Sequence, residues 1–255
     1  MKISIVTATY NSGSTLRETL ESVLAQNYAD YEHIIVDGVS KDATLEIIHQ
    51  YEHRYGGRLR YISEPDNGIY DAMNKGIEMA EGDVIGILNS DDFFSDKTVL
   101  GRIAVGIRDV DIIYGNLDFV DAKNTDKVVR QWIGSQYYSK AFFKGWHPAH
   151  PTFYARRECF EKFGKFDITF DVSADFELMF RFIERFMSSN KYIPYTLVKM
   201  RVGGVSTGSI SKIIKGNKNV LKAFRKNGFK APWFYTIRRL TTKAIGLIKS
   251  KLRIY

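Results

Sequence analysis

Cysteine is almost absent from the sequence, which limits its chemistry before any motif is considered. Cys159 is the single cysteine among 255 residues, so an internal disulfide is excluded and a reducing cytosol is the expected compartment. Long apolar runs are also missing, since nothing approaches the roughly 18 consecutive apolar residues that span a bilayer. The short apolar run at the N-terminus stops at polar residues and indicates a first strand rather than a signal peptide.

Acidic residues are missing from the last part of the chain. After Glu184 there is no Asp or Glu, while residues 185–255 hold 17 of the 37 Lys and Arg. Residues 1–184 therefore carry a formal charge of −9 and the remainder +17, which gives +8 for the whole chain. This asymmetry predicts two parts with different roles, a globular domain over residues 1–205 and a basic helical extension over residues 206–255.

Strand-like and helix-like patterns alternate through the first half of the chain. The β-rich runs lie at residues 3–7, 33–36, 59–63 and 84–88. The segments with apolar residues at helical spacing lie between them, at residues 15–26, 42–51 and 69–80. Thr15 and Glu18 are expected to form a capping box, and Asp42 to cap the second helix. This alternation predicts an α/β fold with a mostly parallel sheet.

The pattern is looser after residue 88. The expected elements are helices at 98–107 and 176–186, strands at 112–114 and 128–133, and an aromatic loop at 135–152. Residues 203–209 are rich in Gly and Ser and predict a flexible break. Two basic amphipathic helices are expected beyond this break, and Gly228 is placed to cap the first of them at its C-terminus.

Small polar and acidic residues follow all four strands predicted in the first half. They lie at residues 7–11, 37–38, 64–68 and 89–92. One polar strand end is commonly only a helix cap, but the ligand of an open parallel sheet lies beyond the carboxyl ends of its strands. Four such ends around one crevice therefore indicate a ligand site.

The glycine loops that usually bind phosphate are missing. Neither G-x-G-x-x-G nor G-x-x-x-x-G-K-[ST] follows the first strand, which argues against a dinucleotide site and against a P-loop. Acidic residues repel a bare pyrophosphate unless a divalent cation lies between them. Asp91 and Asp92 are hard oxygen ligands and are expected to bind Mn²⁺ or Mg²⁺, which would neutralise charge on a leaving diphosphate. Asp37 is suited to accept hydrogen bonds from a base N–H or a ribose hydroxyl.

A transfer reaction also needs a base for the incoming nucleophile. Asp175 lies in the segment VSADFEL, where a loop becomes a helix. Two interpretations of this residue are open on local pattern alone. One is an N-cap, a position that Asp often occupies, and the other is general-base catalysis.

Four motifs in order resemble the nucleotide-binding half of family 2 glycosyltransferases. They are I-x-V-T-A-T-Y-N, I-I-V-D-G-x-S-x-D-x-T, E-P-D-N-G-I-Y-D-A-M-N-K-G-I-x-x-A-x-G-D and L-N-S-D-D. The resemblance is close over residues 1–92 and continues more loosely to residues 203–206. It implies a GT-A fold, with a nucleotide-binding half at 1–92 and an acceptor-binding half at 93–205. It also implies an inverting enzyme of the kind that builds bacterial surface polysaccharides.

Matching positions in the family imply the site residues. Those expected to bind the nucleotide-sugar are Thr7, Ala8, Thr9, Asn11, Asp37, Asp66, Lys75, Asn89 and Ser90. Asp91 takes the metal-binding position of the family's D-x-D motif, whose first Asp is replaced here by Asn89, a poorer cation ligand. Asp175 falls at the family's catalytic base. His147 and His150 match a loop beside the acceptor, with structural packing as their alternative role.

The mechanism that the resemblance implies is a single displacement. Asp175 accepts the proton of the acceptor hydroxyl while that oxygen attacks the anomeric carbon and the nucleoside diphosphate leaves. UDP is the expected nucleotide by family habit. The expected acceptor is a glycan or lipid-linked sugar, at the cytoplasmic face of the plasma membrane.

The basic extension has three possible partners. Ile213, Val220 and Phe224 share one helical face that Lys and Arg surround, which is typical of a helix lying on an anionic membrane. The same pattern fits a helix packed on the domain with a solvated basic face. Nucleic acid is a third partner for any basic stretch, and it is not the expected one.

Other functions remain to be weighed against sugar transfer. A sugar nucleotidyltransferase would need a glycine- and arginine-rich loop after the first strand, where the sequence has Thr9, Tyr10 and Asn11. A glycoside hydrolase would need two carboxylates facing each other across a sugar. A non-catalytic nucleotide-sugar-binding or partner subunit stays open, and Asn89 makes it somewhat more plausible.

Overall fold

The computed structural model describes residues 1–203 and 210–235, which form one mixed sheet with helices on both faces. The strands are β1 Ile3–Thr9, β2 Tyr31–Asp37, β3 Leu59–Ser63, β4 Val84–Ile87, β5 Asp92–Phe94, β6 Ile112–Val120, β7 Val128–Trp132, β8 Tyr154–Arg156 and β9 Asn190–Arg201. The helices are α1 Leu16–Leu24, α2 Thr44–Tyr55, α3 Ile69–Met79, α4 Val99–Gly106, α5 Arg157–Phe163, α6 Ala174–Phe180 and α7 Ile210–Lys226. Short 3₁₀ turns lie at Phe142–Lys144 and His150–Thr152, and a π-helical turn at Arg181–Arg185.

The strand order is β3-β2-β1-β4-β8-β6-β9-β5, with β7 beside β6. The first four strands in this order are parallel, and their register sets Asp37 between Thr9 and Ser63. The carboxyl ends of β1, β2 and β3 therefore lie side by side at one edge of the sheet. This is the edge where the sequence places its polar strand ends.

Antiparallel pairs attach the second half of the chain to the same sheet. β8 runs antiparallel to β4 and β6, and β9 runs parallel to β6 and antiparallel to β5. Tyr192 of β9 pairs with Tyr114 of β6, and Thr196 pairs with Asn116. Over this stretch β9 advances four residues while β6 advances two, so β9 bulges around Pro194. Proline has no N–H to donate to the ladder, so a bulge is where a strand tolerates it.

Two apolar clusters hold the helices against the sheet. On one face, α1 and α4 bury residues such as Leu20 and Ile103. On the other face, α3 and α7 bury residues such as Ile77 and Phe224. Each fully buried side chain of this size contributes about 1.5–3 kcal/mol relative to an exposed one. The sheet is thus covered on both sides, and ligands can approach the strand ends only from its edge.

The alternation of strands and helices predicted for the first half is confirmed through β4. The predicted capping box is wrong, because the Thr15 side chain makes no cap hydrogen bond and Glu18 pairs instead with Arg201. Asp42 does accept a hydrogen bond from the Thr44 amide, the first of α2, at 3.0 Å. The N-cap of α2 is nevertheless Ala43, so Asp42 supports the helix start from one residue before the cap position.

The first basic helix, α7, packs on the domain. Val220, Ala223 and Phe224 are buried, and Gly228, at φ +82°, ends the helix as expected. The packing interpretation therefore describes α7. The proposed boundary between residues 205 and 206 and the second basic helix, within 236–255, lie outside the described residues. Within the described ranges, no helix is long and apolar enough to cross a membrane.

Candidate active site

Asp37 joins the carboxyl ends of the first three strands. Its carboxylate accepts hydrogen bonds from the Thr9 hydroxyl (3.0 Å), the Ser63 hydroxyl (2.7 Å) and both the hydroxyl and the amide of Ser40 (2.5 and 3.0 Å). Burial alone would raise the pKa of Asp37, but these donors hold it below its ordinary value. The side chain is fully buried, so it shapes the strand ends from beneath. Its direct contact with a nucleoside stays a prediction.

Asp66 lies over the end of β2. A Cβ on Gly38 would lie 2.6 Å from Asp66 Oδ2 and 3.4 Å from the Tyr10 ring, so the glycine leaves room beside it for both groups. Asp66 also accepts from the Gly68 amide at 2.8 Å. The Tyr10 ring is two-thirds exposed. An exposed ring beside a partly exposed carboxylate offers a stacking surface and a hydrogen-bond acceptor together, which suits a nucleobase.

Tyr10 was missed by the sequence reasoning as a site residue. The motif that contains it indicates a ligand site through its small polar residues alone. An exposed aromatic residue directly after a buried strand was the signal available.

The other predicted contacts on β1 are buried. The Thr7 hydroxyl donates to the Leu88 carbonyl (2.7 Å) and lies 2.9 Å from His33 Nε2. Ala8 and Thr9 are nearly as buried. The Thr7 side chain is used in hydrogen bonds inside the sheet, so a ligand would contact this segment through its backbone.

Asn11 and Ser90 connect loops that follow different strands. Asn11 has a φ of +50°, a conformation that Asn tolerates, and its side-chain oxygen accepts from the Lys41 amide at 2.8 Å. The hydroxyls of Ser12 and Ser90 lie 2.8 Å apart. The loop after β1 is thereby joined to the loops after β2 and β4.

The carboxylates of Asp91 and Asp92 have opposite environments. Asp92 is fully buried, and its Oδ2 accepts from Asn89 Nδ2 at 2.9 Å. Burial, with the charge of Asp91 beside it, raises the pKa of Asp92 to about 8. Asp91 is partly exposed. Asp91 is thus the more accessible carboxylate, and Asp92 instead binds the amide nitrogen of Asn89, a bond that does not use the Asn89 side-chain oxygen.

Arg201, at the end of β9, holds the backbone of this acidic loop. Its guanidinium donates to the Asp91 carbonyl and pairs with Glu18 of α1. It also lies over the Phe93 ring, 5.2 Å from the centroid. Arg201 was not predicted, because its partners lie more than a hundred residues away and no local pattern marks them.

Metal-binding groups of three or more His, Cys, Asp or Glu side chains do not occur among residues 1–203 and 210–235. The donors at the D-x-D position are the Asp91 carboxylate and the Asn89 amide oxygen. Both are hard oxygen donors of the kind that Mg²⁺ and Mn²⁺ accept. They fit a cation that takes further ligands from a bound diphosphate.

Asp175 is not the N-cap of its helix. That position is Ser173, and Asp175 lies in the first turn of α6. Its Oδ2 lies 3.3 Å from His150 Nδ1, and its Oδ1 accepts from the Tyr70 hydroxyl at 3.3 Å. Burial, followed by the charge of Asp175, raises the pKa of Tyr70, so Tyr70 stays protonated and donates. The carboxylate is about one-quarter exposed, so it is oriented and still accessible.

The two predicted acceptor-side histidines lie beside α6, the helix that carries Asp175. His150 begins the 3₁₀ turn that contacts β4, β6 and α6. His147 packs edge-on against Trp132 (5.1 Å between centroids) and against Phe176 (5.6 Å). The turn thus packs against both β4 and the helix that carries Asp175.

Lys75 points toward the loop after β3. Its ammonium lies 2.7 Å from both the Pro65 carbonyl and the Glu64 carboxylate. The Glu64 carboxylate raises its pKa. Lys75 therefore stabilises the loop that carries Asp66, and its contact with a nucleotide stays a prediction.

Solved structures share this arrangement of strands and helices. S. aureus TarS, residues 1–349 in complex with UDP-GlcNAc, matches with a TM-score of 0.72 at 17% identity, over 91% of this chain and 68% of that one. A mannosyltransferase from Pyrobaculum calidifontis, in complex with GDP-Man and Mn²⁺, matches with a TM-score of 0.65 at 20% identity, over 92% and 67%. At such identities the likeness shows the fold, which is the GT-A fold of nucleotide-sugar-dependent glycosyltransferases.

The chain belongs to glycosyl transferase family 2, whose family model matches residues 4–185. A PGL/p-HBAD biosynthesis glycosyltransferase of Mycobacterium bovis BCG is 29% identical over 213 residues, which cover 82% of this chain and 80% of that protein. An uncharacterized glycosyltransferase of Mycobacterium tuberculosis is 40% identical over 101 residues, or 39% of this chain and 37% of that one. The predicted family and fold are confirmed.

Proposed function

We propose that this glycosyltransferase moves a hexosyl or hexosaminyl unit from a UDP-sugar to an acceptor hydroxyl with inversion at the anomeric carbon. The observation that carries the proposal is the setting of Asp175. Its accessible carboxylate is oriented by His150 and Tyr70 on a helix that contacts the turn beside β4, the strand whose end carries Asp91. The 3₁₀ turn at His150–Thr152 contacts both β4 and α6, which supports placing the proposed base near the strand end proposed to bind the diphosphate.

The nucleoside is proposed to bind at the ends of β1 to β3. Tyr10 would stack on the base, and Asp66 would accept hydrogen bonds from it or from the ribose. Asp37, buried beneath them, would fix the shape of the slot. UDP is favoured because a structure with this fold binds UDP-GlcNAc, although another binds GDP-Man.

The donor diphosphate is proposed to lie against Asn89, Ser90 and Asp91. Asp91 and the Asn89 oxygen would hold Mn²⁺ or Mg²⁺. When bound there, the cation would neutralise charge that develops on the leaving diphosphate. Asp92 would orient Asn89 through its Oδ2, and its own predicted role as a metal ligand stays a prediction.

The chemical step would be one displacement. The acceptor oxygen forms a bond to the anomeric carbon as Asp175 takes its proton, and the bond from that carbon to the diphosphate breaks with its electrons leaving on the nucleotide. General-base assistance of this kind contributes about 10²–10⁴ in rate. Tyr70 and His150 would keep the Asp175 carboxylate aimed at the incoming hydroxyl.

The acceptor is proposed to be a glycan or lipid-linked sugar at the inner face of the plasma membrane, as in surface polysaccharide synthesis. His147 and His150 would border it. The basic charge of residues 185–255 supports an anionic membrane surface as a partner, since each basic residue near such a surface contributes about 1 kcal/mol. Nucleic acid is not a proposed partner.

A thermal-shift panel of UDP-, GDP- and dTDP-sugars, each with and without Mn²⁺, tests the donor and the metal together. A ligand at a hundred times its Kd stabilises by about 2.7 kcal/mol, enough for a shift of several degrees. We expect the largest shift for a UDP-sugar with Mn²⁺. Asp91→Asn should lose the Mn²⁺-dependent part.

Asp109→Asn is the matched control, because Asp109 is an exposed carboxylate on the connection between α4 and β6. It should behave as the wild type. A larger shift with GDP- or dTDP-sugars would contradict the choice of UDP. An undiminished Mn²⁺ effect in Asp91→Asn would contradict the metal assignment.

A further inference from the structure

The connection between α5 and α6, residues 164–173, leads directly into Asp175 and is held by α3 from one side. Asn74 exchanges two hydrogen bonds with the Phe166 backbone, donating to its carbonyl at 2.8 Å and accepting from its amide at 2.9 Å. The Tyr70 ring stacks on Phe166 at 5.5 Å. The helix that orients Asp175 through Tyr70 thus also anchors the start of this α5–α6 loop.

A second element, α7, contacts the same loop through residues on one helix face, here called the lysine stripe. Its members are Lys215, Asn219, Lys222 and Lys226, which are three or four positions apart and so share one helix face. Lys226 pairs with Asp167, near the start of the loop. Lys222 donates to the Thr169 carbonyl at 2.6 Å, in the middle of the loop.

The last contacts of the stripe come just before the helix of Asp175. Asn219 Nδ2 donates to the Val172 carbonyl (2.8 Å) and to Asp171 Oδ1 (3.1 Å), and Lys215 pairs with Asp171. Val172 is three residues before Asp175. No other residue of the stripe is bonded to the backbone so close to the base.

The residue between these contacts and α6 is held in an uncommon conformation. Ser173 has a φ of +65°, in the left-handed region that is sterically unfavourable for a non-glycine residue. Its carbonyl accepts from the Glu177 amide at 3.2 Å and so starts the helix. Such a conformation persists only where the surroundings impose it. The bond from Asn219 to the adjacent carbonyl is one such constraint.

We infer that Asn219 is a positioning residue for the base. By fixing the Val172 carbonyl, Asn219 holds Ser173 in its left-handed turn and so directs Asp175 toward His150 and Tyr70. This inference rests on the proposed role of Asp175. It gives α7 a part in catalysis, in addition to its packing on the core.

Asn219→Ala tests the inference through the rate of UDP release from UDP-GlcNAc with Mn²⁺. We expect kcat to fall about ten- to a hundredfold, as a small misplacement of a reacting group does, while the KM for UDP-GlcNAc changes less than about twofold. Asn217→Ala, on the same helix but about 200° around it, is the matched control and should resemble the wild type. Equal kcat values for the two variants would overturn the inference.

Hydrogen exchange on the full chain gives a readout that needs no substrate. In Asn219→Ala the Glu177 amide should exchange faster, because its partner is the Ser173 carbonyl, while the amides of β1 stay protected. Unchanged exchange at Glu177 would overturn the inference whatever the donor is. Faster exchange across all elements would do the same, since it would report general destabilisation.

Combining Asn219→Ala with Asp175→Asn separates this inference from the proposed function. If Asn219 acts through the base, the double variant should release UDP no more slowly than Asp175→Asn alone. A further loss of tenfold in that background would overturn the inference and leave the role of Asp175 intact. Full activity of Asp175→Asn would instead contradict the proposed function.

Discussion

The five carboxylates around the strand ends divide into two groups by their exposure. Asp37 and Asp92 are fully buried, whereas Asp66, Asp91 and Asp175 are partly exposed. The buried pair organises the loops through hydrogen bonds from inside. The exposed three are the groups that can meet a nucleotide, a cation and an acceptor.

His33 shows how far the buried polar network extends below the site. Its Nε2 lies 2.9 Å from the Thr7 hydroxyl and its Nδ1 lies 3.0 Å from the Tyr55 hydroxyl. Complete burial lowers the pKa of His33 to about 3, against an ordinary value of 6.5. The Thr7 hydroxyl donates to the Leu88 carbonyl and the Tyr55 hydroxyl donates to the Leu20 carbonyl, so both present acceptors to the ring. Burial is what disfavours the charged form of His33 in the folded protein.

A pH dependence of stability follows from His33. Because its folded pKa lies below its unfolded pKa, the unfolded state binds the extra proton as the pH falls below 6.5. The free energy of unfolding should therefore fall from pH 6.5 toward pH 3, by up to about 1.4 kcal/mol per pH unit from this group. Urea unfolding at pH 7 and pH 5 measures it.

His33→Gln is the comparison, because Gln can keep hydrogen bonds but cannot take up a proton. The wild type should lose up to about 2 kcal/mol more than this variant between pH 7 and pH 5. Groups common to both proteins cancel in that difference. Equal losses would show that His33 is not held neutral by burial.

At the scale of elements, the first half of the fold could be predicted because each pattern is local. The run at residues 84–88 is apolar throughout, as a strand covered on both faces must be. Helix α3 has a matching helical period from Ile69 to Met79. These features need no knowledge of which strands pair.

The strands expected at 112–114 and 128–133 are present as β6 and β7, whereas β5, β8 and β9 escaped prediction for different physical reasons. β5 and β8 have three residues each, too few to display a period. β9 contains Pro194, which normally argues against a strand, and its bulge depends on pairing with β6. The helix predicted at 176–186 begins earlier, at Ala174, and ends in a π-helical turn. None of these outcomes follows from local sequence.

The C-terminal segment gives a prediction about the membrane. The lysine stripe of α7 contacts the α5–α6 loop, so we assign the proposed membrane contact to other residues. Trp233 is 87% exposed and precedes the basic residues 236–255. Deleting residues 233–255 should release the protein from anionic liposomes in a co-sedimentation assay, because aromatic and basic residues bind the interface together.

Neutral phosphatidylcholine liposomes are the control for this assay, and the full chain should bind them much less. Salt should weaken binding to anionic liposomes, since the attraction is electrostatic. Unchanged co-sedimentation of the deleted form would contradict a membrane role for the segment.

At the scale of the whole molecule, the site is assembled by contacts between distant parts of the chain. The bond from Tyr70 to Asp175 spans 105 residues, and that from Arg201 to Asp91 spans 110. The motifs and the family resemblance could indicate which loops to examine and which aspartate to propose as the base. They could not indicate Arg201 or Asn219, because those residues act only through tertiary contacts.

The central claim is the proposal that Asp175 is the base of a sugar transfer whose donor binds at the carboxyl ends of β1 to β4. The most direct measurement is turnover of Asp175→Asn with the UDP-sugar that gives the largest thermal shift, alongside binding of that donor. We expect turnover to fall by about 10²–10⁴ while the donor Kd is unchanged, with Asp109→Asn as the charge-matched control. Near wild-type turnover in Asp175→Asn would contradict the account.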